Sequence, residues 1–197
     1  MSHIVIAGDS IFDNGAYVPG EKVVYHQLKD IAVTTDEVTS LAVDGSVTKD
    51  TVEQLTRLPS TTTHLFISTG GNDALGQMDL LSQSVRSVAD AMLLLSESQN
   101  QFRTSYRNLV SQIQRLPQMK TVVCTIYHPN AEAEAQNVMD IGVSLFNDVI
   151  IEEANKARIP VLDIRGSFLN REDYANQIEP SSVGGWKLAK AMYSISK

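Results

Sequence analysis

Five short runs rich in Val, Ile, Leu and Thr punctuate the chain: His3 to Ala7, Val38 to Val43, His64 to Thr69, Thr121 to Ile126 and Pro160 to Ile164. None alternates cleanly between apolar and polar residues, as expected of strands covered on both faces. Between them lie stretches with helical periodicity: Tyr25 to Ile31, Thr51 to Leu58, Leu80 to Leu95, Phe102 to Leu116, Gln136 to Ala157 and Val183 to Ile195. Short apolar runs alternating with longer amphipathic ones are the pattern of βαβ units, so the sequence predicts an α/β fold around a parallel sheet. Pro59, Pro117 and Pro160 closely follow helical stretches, where a residue without an N–H suits a helix exit. The polar stretch Ser96 to Gln101 reads as a break between two helices. With no repeat or linker in view, residues 1–197 read as one domain.

Composition narrows the partners. The 197 residues are 43% hydrophobic, enough for a substantial single core. A net charge of −7 argues against nucleic acid, whose phosphates require clustered Lys and Arg. A small or neutral substrate fits better. The single cysteine, Cys124, lies in the apolar run Thr121 to Ile126 and reads as a buried thiol, since such surroundings suppress the thiolate. Met1 to Ala7 lacks the basic and cleavage-site regions of a secretion signal, which predicts a cytoplasmic protein. No apolar stretch approaches the roughly 20 residues of a membrane helix.

In open parallel sheets, ligands bind beyond the carboxyl ends of the strands. Three polar, glycine-containing loops follow the first three predicted strands: Gly8-Asp9-Ser10, Asp44-Gly45-Ser46 and Gly70-Gly71-Asn72-Asp73. They should gather on one edge. A hydroxyl placed there, at Ser10, suits a nucleophile or a phosphate contact; a plain βα turn would contain the same residue types.

The segments Ile6-Ala7-Gly8-Asp9-Ser10, Ala42-Val43-Asp44-Gly45-Ser46 and Gly70-Gly71-Asn72-Asp73 resemble, in order and spacing, the first three blocks of the SGNH (GDSL-like) hydrolase family. The resemblance continues through Asp163 and Glu179-Pro180-Ser181 to Gly184. It implies a flavodoxin-like three-layer α/β/α fold with a five-stranded parallel sheet of order 2-1-3-4-5. It also implies a serine ester hydrolase, acyl or acetyl esterase or lipase-like, acting on a small-molecule ester without a cofactor. By the same resemblance Ser10 would be the nucleophile, and the oxyanion would be held by the N–H groups of Ser10 and Gly45 and the amide of Asn72. Attack by serine on an acyl carbonyl builds negative charge on oxygen, and preorganised donors stabilise it. Asp9 and Asp73 would brace their loops.

The fourth block departs from the family pattern. Where the family has Asp-x-x-His-Pro, this chain has Asn176-Gln177-Ile178-Glu179-Pro180, so Glu179 stands in the place of the histidine and Asn176 in that of the aspartate. Three readings follow: Glu179 is the base, oriented by Asn176; another residue supplies an imidazole; or the fold binds a carbonyl- or anion-bearing ligand without turnover. A carboxylate is a weaker base than imidazole by about two pK units, a gap that partial burial narrows. A neutral Asn176 suits a glutamate neighbour, since two carboxylates would repel.

Of the four histidines, His3 and His64 open strands at the far end of the sheet and read as structural, and His26 lies in a helix. His128, in Ile126-Tyr127-His128-Pro129-Asn130, follows the fourth strand at the carboxyl edge and is the alternative base. The sequence shows neither Cys/His ligand spacing nor a nucleotide-binding glycine motif, so no metal is expected; Asp9, Asp44 and Asp73 are the only hint of a hard-cation site. Ala74 to Gln101, with Met78, Leu80, Leu81, Met92, Leu93 and Leu94, forms either a lid or a helix packed on the sheet.

Overall fold

The structure, a computed structural model, describes residues 2–117 and 119–197. Strands β1 (His3–Gly8), β2 (Glu37–Ser40), β3 (His64–Ser68), β4 (Lys120–Cys124) and β5 (Val161–Leu162) form one sheet in the order β2-β1-β3-β4-β5. All neighbours are parallel; Val5, for example, is in register with Thr39 on one side and Leu65 on the other. The predicted sheet and its order are therefore those observed.

The strands lack clean alternation because both faces are covered. Ile4 and Ile6 of β1, Phe66 of β3 and Val122 of β4 point toward α1 (Val24–Ile31) and α6 (Ser182–Ile195). Val5, Ala7, Leu65, Ile67 and Val123 point to the other side. There they pack against α2 (Thr48–Leu55), α4 (Val88–Ile113) and α5 (Ala133–Lys156). Two apolar layers thus sandwich the sheet, and burying each Val, Leu, Ile or Phe contributes about 1.5–3 kcal/mol.

Several expectations are corrected. Ser96 to Gln101 is not a break: α4 runs unbroken for 26 residues through it. Ser, Glu, Gln and Asn disfavour a helix only mildly, and no Gly or Pro interrupts the segment; Ser98 even faces inward and is buried. The helix starts at Val88 instead of Leu80 because Ser87 caps it, its hydroxyl accepting from the Asp90 N–H at 3.1 Å. Residues Met78–Ser82 form a separate 3₁₀ turn. Strands β2 and β5 are also shorter than expected. A short helix that the periodicity did not indicate, α3 (Gly71–Leu75), follows β3.

At the amino edge, His3 and His64 are tied to threonines. The His3 ring bridges Thr61 and Thr39 at 2.7 and 2.8 Å, and His64 Nδ1 meets the Thr63 hydroxyl at 2.9 Å. Cys124 is buried in the core, where burial pushes its thiol pKa up. No helix among the described residues is long and apolar enough to cross a membrane.

Candidate active site

The sheet order reverses direction between β1 and β3, and the loops leaving these strands open a crevice at their carboxyl ends. Gly8 ends β1 at φ +138°, and a Cβ there would lie 1.7 Å from the Ser68 carbonyl oxygen. Only glycine fits so close to β3. The chain then turns sharply, with Phe12 and Asp13 N–H groups both donating to the Asp9 carbonyl, and presents Ser10 at the mouth.

A buried glutamine anchors this turn. The Gln54 side chain on α2 accepts from the Gly8 N–H at 2.7 Å and donates back to the Gly8 carbonyl at 2.8 Å, while also reaching the Ser46 hydroxyl at 3.2 Å. One amide thus fixes the end of β1 and the loop after β2. Nothing in the sequence distinguished Gln54 from a surface residue except its place on the inward face of α2, beside Thr51 and Leu55.

The loop carrying Gly45 is held from two directions. Asp44 N–H donates to the Asp13 carboxylate at 2.9 Å, and the Tyr17 hydroxyl donates to the Asp44 carboxylate at 3.0 Å. From the other side, the Asn72 amide donates to the Ser46 carbonyl at 3.0 Å. Gly45 takes φ +78°, left-handed backbone that a glycine adopts freely. Among the described residues, neither the Ser10 nor the Gly45 N–H has a protein acceptor.

Glu179 closes the site. The Ser10 hydroxyl donates to Glu179 Oε1 at 3.1 Å, and Glu179 Oε2 is buried without a hydrogen-bond partner among the described residues. Burial raises this carboxyl from its ordinary 4.5 to about 7, against the lowering effect of the Ser10 hydrogen bond and with a further push from the Asp44 charge. Asn176 acts on Glu179 through the backbone: its Oδ1 accepts from the N–H groups of Ile178 and Glu179 at 2.8 and 2.9 Å. Buried Asn14, which no sequence signal marked, links the two halves. It donates to the Pro180 carbonyl at 3.1 Å and accepts from the Val24 N–H at the start of α1.

Two more carboxyls lie behind the serine. Asp9 is buried and raised to about 7, chiefly by burial and also by the charges of Glu179 and Asp73, although the Ile11 N–H donates to it. Asp73, raised by burial, accepts from both the N–H and the hydroxyl of Thr48 at 2.9 Å. Asp9 thus braces its own turn, whereas Asp73 ties the loop after β3 to the start of α2.

Ser10, Asn72 and Glu179 line one cleft, together with Asp9 and a set of apolar side chains from α3, α4 and α5. His128 does not line it. Its Nδ1 lies 2.9 Å from an Asp140 oxygen on α5, both side chains being partly exposed, and its ring makes no hydrogen bond with Ser10.

The GDSL-like Lipase/Acylhydrolase family model matches residues 6–184. No curated protein matches the chain. Solved structures share its fold at low identity. A phospholipase A1 from Streptomyces albidoflavus is 18% identical with a TM-score of 0.72, the match covering 98% of each chain. An extracellular lipase from Streptomyces rimosus is 16% identical with a TM-score of 0.72, covering 98% of this chain and 99% of that one. An acetyl xylan esterase from Geobacillus stearothermophilus is 19% identical with a TM-score of 0.65, covering 98% and 93%. With the family match spanning nearly the whole chain, this protein belongs to the GDSL-like lipase/acylhydrolase family, the SGNH hydrolases.

Proposed function

We propose that the protein is a serine ester hydrolase in which Glu179 replaces histidine as the general base. The observation that carries this reading is the 3.1 Å hydrogen bond from the Ser10 hydroxyl to a buried carboxylate. That is the reach proton transfer requires. A glutamate at its ordinary 4.5 would be a feeble base; one raised to about 7 by burial holds a proton as well as an ordinary imidazole does.

The cycle then runs in two balanced halves. Ser10 Oγ attacks the ester carbonyl while its proton passes to Glu179, and the carbonyl oxygen becomes an oxyanion. The Ser10 and Gly45 N–H groups and the free N–H of Asn72 receive that charge. Collapse breaks the bond to the alcohol, which leaves with the proton from Glu179 and gives an acyl-Ser10 ester. Water, deprotonated by Glu179, attacks the acyl group, and the carboxylic acid departs as Ser10 regains its proton.

Asn176 is assigned the task of holding the Glu179 backbone, in place of the aspartate that orients a histidine ring. A carboxylate has no N–H for a partner to hold, so a backbone clamp is the support it receives.

A fluorophosphonate probe tests the reading. Labelling of the wild type that disappears in Ser10→Ala, together with release of p-nitrophenol from p-nitrophenyl acetate, is the expected result. Absence of both across the pH range in which carboxyl and imidazole groups ionise would instead assign the fold to ligand binding without turnover.

A further inference from the structure

Glu179 sits on a segment whose backbone is held at every carbonyl from Gln177 to Pro180. Gln177 accepts from the Asn130 N–H at 2.7 Å, and Ile178 accepts from the Tyr127 hydroxyl. Glu179 accepts from the Ala175 N–H at 2.8 Å, and Pro180 from the Asn14 amide at 3.1 Å. Two of these donors, Tyr127 and Asn130, belong to the loop after β4. That loop also carries His128, whose ring turns away to Asp140.

Tyr127 is itself fixed. It is buried, its ring stacks on Phe168 with centroids 4.1 Å apart, and it meets Tyr174 edge-on at 5.8 Å. The Tyr174 hydroxyl lies 2.6 Å from the His128 carbonyl and 3.1 Å from that of Phe168, and so ties the two segments together. On the other side, the Asn147 amide of α5 accepts from the Ile126 N–H and donates to the Ile126 carbonyl, both at 2.7 Å. A phenol enclosed in this way brings its hydroxyl to one place.

Where the hydroxyl points matters as much as its rigidity. Tyr127 and Glu179 line the same cleft, yet the phenol donates to the Ile178 carbonyl and to neither oxygen of the carboxylate. A donor on the carboxylate would stabilise its charged form and weaken it as a base. A donor on the preceding carbonyl holds the backbone and leaves the carboxylate to Ser10. The other groups facing Glu179 supply no counter-charge: Asp9 and Asp44 are acidic, and Tyr17 is a phenol. Burial, with the charges of Glu179 and Asp9, pushes the Tyr127 hydroxyl well above its ordinary value, so it stays a donor wherever a carboxyl titrates.

We propose that Tyr127 is a positioning residue for Glu179: its hydroxyl fixes the Ile178 carbonyl and thereby keeps the carboxylate in line with Ser10 without bonding to it. This rests on the hydrolase reading above and adds the side chain that steadies its base. Without the hydroxyl, the Ile178 carbonyl has no donor, and the segment shifts or takes in water to satisfy it. Either change lengthens the path from Ser10 to the base and hydrates the carboxylate.

The test compares the wild type with Tyr127→Phe, which keeps the ring, and Tyr127→4-aminophenylalanine, which keeps a donor on it. With p-nitrophenyl acetate, Tyr127→Phe should lower kcat by about ten-fold or more. KM should stay within about two-fold, and the rising limb of the pH profile should move to lower pH as the carboxylate is hydrated. The amino variant should restore kcat and the limb toward the wild type. A purely structural bond would lower Tm and leave the pH profile where it was. Wild-type kcat and pH profile in Tyr127→Phe, a rise in KM alone, or failure of Tyr127→Phe to fold by circular dichroism overturns the proposal.

Titration of the Glu179 carboxyl by carbon-13 NMR, which needs no turnover, separates this inference from the one beneath it. If no ester is hydrolysed, yet the Glu179 midpoint falls in Tyr127→Phe and returns in the amino variant, the positioning role stands and the hydrolase reading falls. If esters are hydrolysed but neither kcat nor the midpoint changes in Tyr127→Phe, the positioning role falls alone.

Discussion

Ser10 and Glu179 are 169 positions apart in the sequence, yet the hydroxyl of one donates to the carboxylate of the other at 3.1 Å. The contact depends on the turn after β1, on the loop before α6, and on Asn14 and Asn176, which hold them. Four consequences can be measured.

Asn72 spends one N–H on the Ser46 carbonyl, and in the proposed mechanism the other meets the oxyanion. Asn72→Ala should lower kcat by about 10²-fold or more. The lost structural bond is worth about 1 kcal/mol, a shift in Tm of roughly 2–4 °C for a chain of this size. Steady-state kinetics beside a thermal melt checks both; a large fall in Tm with little change in kcat would make Asn72 a loop brace only.

Gln54 satisfies both the N–H and the carbonyl of Gly8 from within the core. Gln54→Leu keeps the volume but leaves the buried Gly8 N–H without its partner, at a cost of about 1–3 kcal/mol. Because the same amide fixes Ser46, kcat should fall as well. Urea titration and kcat measured at a temperature where the variant stays folded would distinguish this from simple destabilisation, under which kcat of the folded fraction would be unchanged.

The raised carboxyl of Glu179 should make stability depend on pH in a definite direction. Below about 4.5 the group is protonated in both native and unfolded chains. As pH rises the unfolded carboxyl ionises first, while the native one holds its proton to about 7. The native state therefore binds more protons in that window, and stability falls as pH rises through it. Asp9, raised in the same way, adds to the slope. Glu179→Gln removes the Glu179 share, so the variant should be more stable than the wild type by about 1–3 kcal/mol near pH 8 and by much less near pH 4.5. Denaturant unfolding at the two pH values checks this; equal stability throughout would mean that the carboxyl is not raised.

Much of this architecture was legible before the structure. Runs such as His64 to Thr69 read as strands covered on both faces, and glycine loops at the ends of the first three strands are placed together by the topology itself. What escaped were properties set by tertiary packing. Ser96 to Gln101 looks like a break because its residues are polar, yet polar residues without Gly or Pro disfavour a helix only mildly, and the real start signal was the Ser87 cap. Gln54 and Asn14 are uncharged amides in unremarkable surroundings; their roles exist only once β1 has brought Gly8 to α2 and the last loop to the first. For the base, the sequence offered both Glu179 and His128, and strand spacing could not choose between them. Side-chain orientation supports the first: Glu179 faces Ser10, whereas His128 faces Asp140.

The pH dependence of kcat/KM tests that choice most directly, measured with p-nitrophenyl acetate on the wild type, Glu179→Gln and His128→Ala. The base works only when ionised, so kcat/KM of the wild type should rise with pH through an apparent pKa of about 7 and then level off. Because an ordinary imidazole titrates close to the same value, the variants carry the decision. Glu179→Gln should lose most of the activity and the rising limb with it, while His128→Ala keeps both. Loss of the rising limb in His128→Ala, with Glu179→Gln hydrolysing the ester like the wild type, would contradict the assignment and give the role of base to His128.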